Sequence, residues 1–204
     1  MDELASSSKS GWEVYRSADD RRAMTALADD YIRFISDCKT EREAVDGVIA
    51  RLEKAGYTEG FSTGRGWQSL HGKAIFVARK GRKPLSEGIR LISAHTDSPR
   101  LDLKQHPLQE QVGVGQAKTH YYGGLRKYQW FARPLAIHGV IVKSDGTVIR
   151  VCLGEDESEP VFTIADLLPH LAHKDGGLKL SEAFDAEKLN IILGHEPVLA
   201  DPDK

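Results

Sequence analysis

From residue 20 to residue 37, apolar side chains return at helical spacing, with Met24, Leu27, Tyr31, Phe34 and Ile35 on one face. This predicts an amphipathic helix. Thr40-Glu41-Arg42-Glu43 reads as a capping box, because a threonine hydroxyl and a glutamate three residues on can satisfy each other's orphan amides. A second helix should follow, with Ala44, Val48, Ile49 and Leu52 as its buried stripe and Gly56 as its stop. The pattern then shortens. Residues 73–79 and 89–94 are nearly continuous apolar runs separated by the turn-rich Lys80-Gly81-Arg82-Lys83-Pro84, which predicts strands covered on both faces in an α/β layer. Further on, residues 135–143 and 147–153 flank Asp145-Gly146, predicting a β-hairpin closed by a tight primed turn. Thr163, as a cap with Asp166 three residues on, predicts a short helix from Ile164 that Pro169 kinks or ends, and residues 189–193 predict another strand. Residues 200–204 offer no closing element, and no internal repeat or low-complexity segment is present.

Composition narrows the function classes. At 204 residues, 40% hydrophobic and 28% charged, the chain can bury a core of one or two compact domains. A formal net charge of -2 and the lack of a basic run interleaved with aromatics argue against nucleic acid as a partner. Cys38 falls in a helical pattern and Cys152 in a strand pattern, without metal-type spacing, so both are expected as buried thiols in a reducing compartment. No apolar run is long enough to span a bilayer, and Met1-Asp2-Glu3-Leu4 with the serines after it lacks the order of a secretory signal. The expectation is a cytoplasmic protein without a membrane partner, its first ten residues mobile for want of anything to bury.

The chemistry concentrates where the second apolar run stops, at His95-Thr96-Asp97-Ser98-Pro99. Side chains two apart along a strand point the same way, so an imidazole and a carboxylate can face one pocket there. A carboxylate so placed can orient a metal-binding imidazole. The alternatives are a histidine that bonds only backbone and an Asx-turn ahead of Pro99.

Four blocks carry a wider resemblance: the ten residues from His95 to Lys104, Thr119-His120-Tyr121-Tyr122-Gly123-Gly124, Lys127-Tyr128-Gln129-Trp130, and the twelve from Pro160 to Leu171. In this order they resemble the aspartyl-aminopeptidase-like zinc metallopeptidases, family eighteen of the metallopeptidases, in its bacterial aminopeptidase 1 branch. The resemblance implies a two-zinc exopeptidase that releases N-terminal amino acids from peptides. It implies an α/β fold in which residues 1–99 are the N-terminal part of the catalytic domain. Residues 100–204 would be all or part of an inserted β-rich dimerisation domain, in a dimer-based homo-oligomer. His95 matches the family's first zinc ligand and Asp97 its catalytic acidic residue, which supports that ligand. His170 matches a histidine that reaches a neighbouring subunit's site to bind substrate or steady an oxyanion; read without the family it is a surface residue. His173 is expected to face solvent, and His71, His106, His120, His138 and His195 are assigned to no metal.

The aromatic group Tyr128, Trp130 and Phe131 reads as core or subunit interface, with the interface preferred. Tyr121 to Gly124 reads as a backbone corner in preference to a substrate-facing loop. Gln105 stands where the family would have proline. The family's mechanism is zinc polarisation of the scissile carbonyl with attack by a metal-bound water, its proton taken by a glutamate. That glutamate, the bridging aspartate, the other carboxylate ligands and a closing histidine lie in a C-terminal half that also completes the catalytic sheet, and this sequence contains none of those motifs. The expectation is therefore the N-terminal portion of such an enzyme, or a shortened product of its gene, inactive alone and at most a weak binder of zinc. The alternative is a non-catalytic dimerisation or interaction module derived from the enzyme.

Overall fold

The computed structural model describes residues 8–173 and 176–196, so the expectations for residues 1–7 and 200–204 fall outside the described residues. Two compact units result, Met1–Thr96 and Asp97–Lys204, dividing just ahead of the boundary expected at residues 99–100.

The first unit opens with a single turn, α1 (Gly11–Val14), followed by α2 (Ala18–Asp37) and α3 (Glu41–Lys54). Each of the two longer helices starts on a reciprocal cap. Ser17 and Asp20 exchange side-chain and backbone bonds at the head of α2, two residues before the expected start. At the head of α3 the Thr40 amide donates to Glu43 Oε2 at 2.9 Å while the Glu43 amide donates to Thr40 Oγ1 at 3.3 Å. The expected stop is also found: Gly56 N–H donates to Glu53 O and Tyr57 N–H to Leu52 O, the paired bonds of a Schellman motif. Ala44 and Val45 are the buried residues of α3, with Val48, Ile49 and Leu52 half-buried. Arg51 ties α3 to α2 through both oxygens of Asp30, and that bond holds the Asp30 carboxyl below its usual range. α3 packs on a sheet of β1 (Thr58–Glu59), β2 (Arg65–Leu70) and β3 (Ala74–Arg79), in which β2 runs parallel to β1 and antiparallel to β3. β3 matches the expected strand; β2, with its polar alternation, was not foreseen.

Residues 89–94 are the main departure. They form no strand, and Ile89, Leu91 and Ile92 are 71%, 74% and 95% exposed. An apolar run becomes a strand only where another backbone pairs with it. Within the described residues none does, and an interior strand's sequence is left without an interior.

The second unit is built on a three-stranded sheet ordered β4 (Arg100–Gln111), β5 (Val114–Tyr122) and β8 (Ile191–Gly194), antiparallel throughout. The β4–β5 register slips between Leu103 and Leu108, so residues 104–107 bulge out against a single residue of β5. Pro107 lies in this bulge, where its missing N–H costs the ladder nothing. Ala117, Ile164, Leu189 and Ile191 form the buried cluster, with Leu101, Trp130, Phe131, Leu135 and Phe162 packed around it. Trp130 and Phe131, half-buried, pack against this unit's own core, the first of the two readings the aromatic group allowed, while Tyr128 keeps a more exposed position.

The hairpin of β6 (Ile137–Val142) and β7 (Val148–Leu153) is present, but its turn differs from the expected primed pair. Only Gly146 has a positive φ, 84°. With Gly146 N–H donating to Lys143 O and Lys143 N–H to Thr147 O, the loop is a three-residue turn with a left-handed glycine. Cys152 lies exposed on β7, contrary to the expected buried thiol, while Cys38 is half-buried and desolvation pushes its thiol pKa up. The helix expected from Ile164 does not form. Phe162 and Thr163 make isolated bridges to Leu135 and Ile192, and Asp166 bonds the Leu167 amide instead of capping a turn. Burial of Ile164 in the sheet's core overrides the local capping signal. A single turn, α4 (Leu180–Ala183), precedes β8.

Gly66 shows how tightly β1 and β2 meet, since a Cβ there would overlap the Gly60 carbonyl. Gly66→Ala should destabilise the chain by about 1–3 kcal/mol. Gly124→Ala, with open space at its Cβ, should stay within about 0.5 kcal/mol. Urea unfolding checks both, and equal effects would contradict the close approach.

Candidate metal centre

The segment after the unpaired apolar run is anchored at one point in the first unit, where Thr96 Oγ1 donates to Lys73 O at 3.1 Å. Lys73 in turn pairs with Glu41 at the start of α3, so the backbone flanking His95 is tied to helix and sheet alike. His95 is exposed and Asp97 half-buried. Two residues apart, they fall on either side of the division between units.

Asp97 is held within the second unit. The Tyr122 hydroxyl, at the end of β5, donates to Asp97 Oδ2 at 2.8 Å. Arg100 lies over the Tyr122 ring, 4.4 Å from its centroid, and its Nε donates to Asp102 Oδ1 at 2.7 Å. The β4–β5 register explains the grouping, because it sets Arg100 opposite Tyr122 and Asp102 opposite His120. Gly123, with φ 76°, turns the chain beside Pro99, the backbone corner expected of the tyrosine–glycine block. Tyr122 and Arg100 were not recognised as site residues from sequence. Their signal was Arg100 within the His95 block, opposite a tyrosine that only strand register could reveal.

His170 lies elsewhere on the second unit, exposed in a turn closed by the Leu171 and Ala172 amides on Leu168 O. Its ring makes no hydrogen bond or ion pair among the described residues, while Leu167, Leu168 and Leu171 around it are all exposed. His173 is exposed, as expected.

Among the described residues, no group of three or more His, Cys, Asp or Glu side chains is placed to hold a metal ion. A catalytic zinc takes three protein ligands. His95 and Asp97, even taken together, are a donor set too small to fit zinc unaided.

The comparisons with known proteins give this partial site its context. The family described as aminopeptidase I zinc metalloprotease (M18) matches residues 34–202. The chain belongs to this family. A probable M18 family aminopeptidase 1 from Clostridium acetobutylicum is 44% identical over 202 residues, covering 93% of this chain and 43% of its own length. A counterpart from Thermotoga maritima is 41% identical, covering 87% and 40%. The crystal structure of the Thermotoga maritima M18 aminopeptidase matches with a TM-score of 0.85 at 37% identity, over 97% of this chain and 44% of that one. The mApe1 dodecamer of S. cerevisiae, at 21% identity and a TM-score of 0.61, shares the fold. This chain thus spans less than half the length of the M18 relatives it matches.

The Tyr122–Asp97 bond is open to a double-mutant cycle with Tyr122→Phe and Asp97→Asn. A charge-assisted bond at a half-buried carboxylate should give a coupling of about 1 kcal/mol in thermal unfolding. Strict additivity would mean that the hydroxyl does not hold Asp97.

Proposed function

We propose that this chain is the N-terminal portion of a zinc-dependent aminopeptidase that releases N-terminal amino acids from peptides. Residues 1–99 belong to its α/β catalytic domain and residues 100–204 to an inserted β-rich dimerisation domain. The observation that carries the reading is the exposed apolar run at 89–94, which ends at His95 and, among the described residues, lacks the partner strands its sequence calls for. The M18 relatives contain more than half their length beyond what this chain matches, enough polypeptide to supply both the missing strands and the missing ligands.

In this reading His95 is one zinc ligand and Asp97 the acidic residue that supports the site, its carboxylate held by Tyr122. The remaining donors and the general base come from outside residues 1–204. His170 would enter a neighbouring subunit's site, a reading supported by its exposure among three exposed leucines and by the homo-oligomer of the yeast relative, a dodecamer. Cys38, a thiol outside any disulfide, favours a cytoplasmic setting. No helix among the described residues is long and apolar enough to cross a membrane. The relatives' names favour the enzyme over the non-catalytic module.

Two outcomes test the proposal. The chain alone should turn over no aminoacyl chromogenic substrate with added Zn²⁺, Mn²⁺ or Co²⁺. A polypeptide that continues through the length of the M18 relatives should be active, and His95→Ala in it should abolish turnover along with part of the bound zinc. Metal-dependent turnover by residues 1–204 would overturn the shared-site reading.

The second test concerns His170. In the longer polypeptide, His170→Phe should lower kcat by about 10²-fold with zinc content unchanged, since a group that stabilises only the transition state leaves the metal alone. Unaltered kinetics would return His170 to the ordinary surface.

A further inference from the structure

A nucleophile, a base and a carboxylate that the aminopeptidase reading leaves unused meet on the β6–β7 hairpin. Its register sets His138 directly opposite Cys152. At the turn the Lys143 amide bonds Thr147 O, and pairs with and without ladder bonds alternate from there along an antiparallel hairpin, so 138 and 152 form a pair without them. In such a pair the Cα atoms are about 4.5 Å apart and the two side chains stand closest on one face. Cys152 is exposed there, whereas the His138 side chain is only 10% exposed.

The loop after β7 orients the imidazole. Gly154, with φ 92°, turns the chain, and Glu155 Oε1 comes to lie 2.9 Å from His138 Nε2. The loop is itself fixed, since the Gly154 amide donates to Glu159 Oε2 at 2.7 Å and the Ser158 amide to Asp156 Oδ1 at 2.9 Å. A carboxylate at Nε2 keeps the ring proton on that nitrogen and leaves Nδ1 as the acceptor. Nδ1 is the ring nitrogen nearer the backbone, the one that a side chain as short as cysteine's can reach across such a pair. Arg150 shares the face two residues from Cys152, and a nearby cation favours a thiolate. Thiol, oriented imidazole and orienting carboxylate are the parts of an activated nucleophile.

The geometry points to Cys152 as a reactive thiol that exchanges reversibly with low-molecular-weight disulfides, with His138 as its base and Glu155 as a positioning residue. His138 Nδ1 takes the thiol proton, and the thiolate attacks one sulfur of the disulfide. The new S–S bond to Cys152 forms as the reagent's own S–S bond breaks, and the departing thiolate recovers the proton from His138. Cys152 is oxidised while the disulfide is reduced, so no other oxidant enters. Glu155 stays ionised throughout. Cys38, half-buried and with its thiol pKa pushed up by desolvation, is the unreactive counterpart in the same chain.

Oxidised glutathione added to the 204-residue chain tests this, with mass spectrometry to map the modified cysteine and circular dichroism to show that each variant remains folded. One glutathionyl group should appear on Cys152 and leave with excess dithiothreitol, while Cys38 stays reduced. Exposure alone would also rank Cys152 first, so the deciding comparison is His138→Gln. Its rate at Cys152 should fall about 10²-fold near pH 6, and the gap should narrow near pH 9, roughly where a thiol ionises unaided. Glu155→Gln, altered only in an exposed loop, should lower the rate by a smaller factor with the same pH trend. Equal rates for wild type and His138→Gln across that range would overturn the proposal, as would modification confined to Cys38. A loss in His138→Gln that is the same at both pH values would mark a purely structural histidine and overturn its assignment as the base.

Discussion

Strand β5 is the element on which the second unit depends. It bonds to β4 on one side and β8 on the other, and Ala117 within it is at the centre of the buried cluster. Thr119, buried two residues on, sends its hydroxyl to Leu189 O and so pins the approach to β8. Tyr122 at its end holds Asp97. One strand therefore fixes core, sheet order and the acidic half of the candidate site.

Local rules were readable where local chemistry decides the outcome. The Thr40–Glu43 cap and the Gly56 stop appear as expected, since their groups satisfy one another within a few residues. They fail where tertiary packing competes. Thr163 and Asp166 have the right spacing for a helix start, yet Ile164 is drawn into the sheet's core and the helix is lost. β4 and β5 escaped notice for a related reason: a long ladder with a four-residue bulge has no clean period to read.

The site divides along the same line. His95 and Asp97 are legible because they are two residues apart and because the blocks around them match a family. Tyr122 and Arg100 become partners only through β4–β5 pairing. What no sequence rule could supply is the rest of the donor set, since the chain's side chains form no metal cluster among the described residues.

The unpaired run at 89–94 also bears on how the chain fares in a cell. Ile89-Arg90-Leu91-Ile92-Ser93-Ala94 has a single charge and no proline, and all six residues are exposed. Such a segment can pair with any extended chain it meets, including copies of itself, which is the route to fibrous assemblies. Arg90 is its sole gatekeeper. A polypeptide leaving this stretch uncovered is a substrate for holdase chaperones and proteases. Concealment of six residues thus becomes a matter of protein lifetime as much as of catalysis.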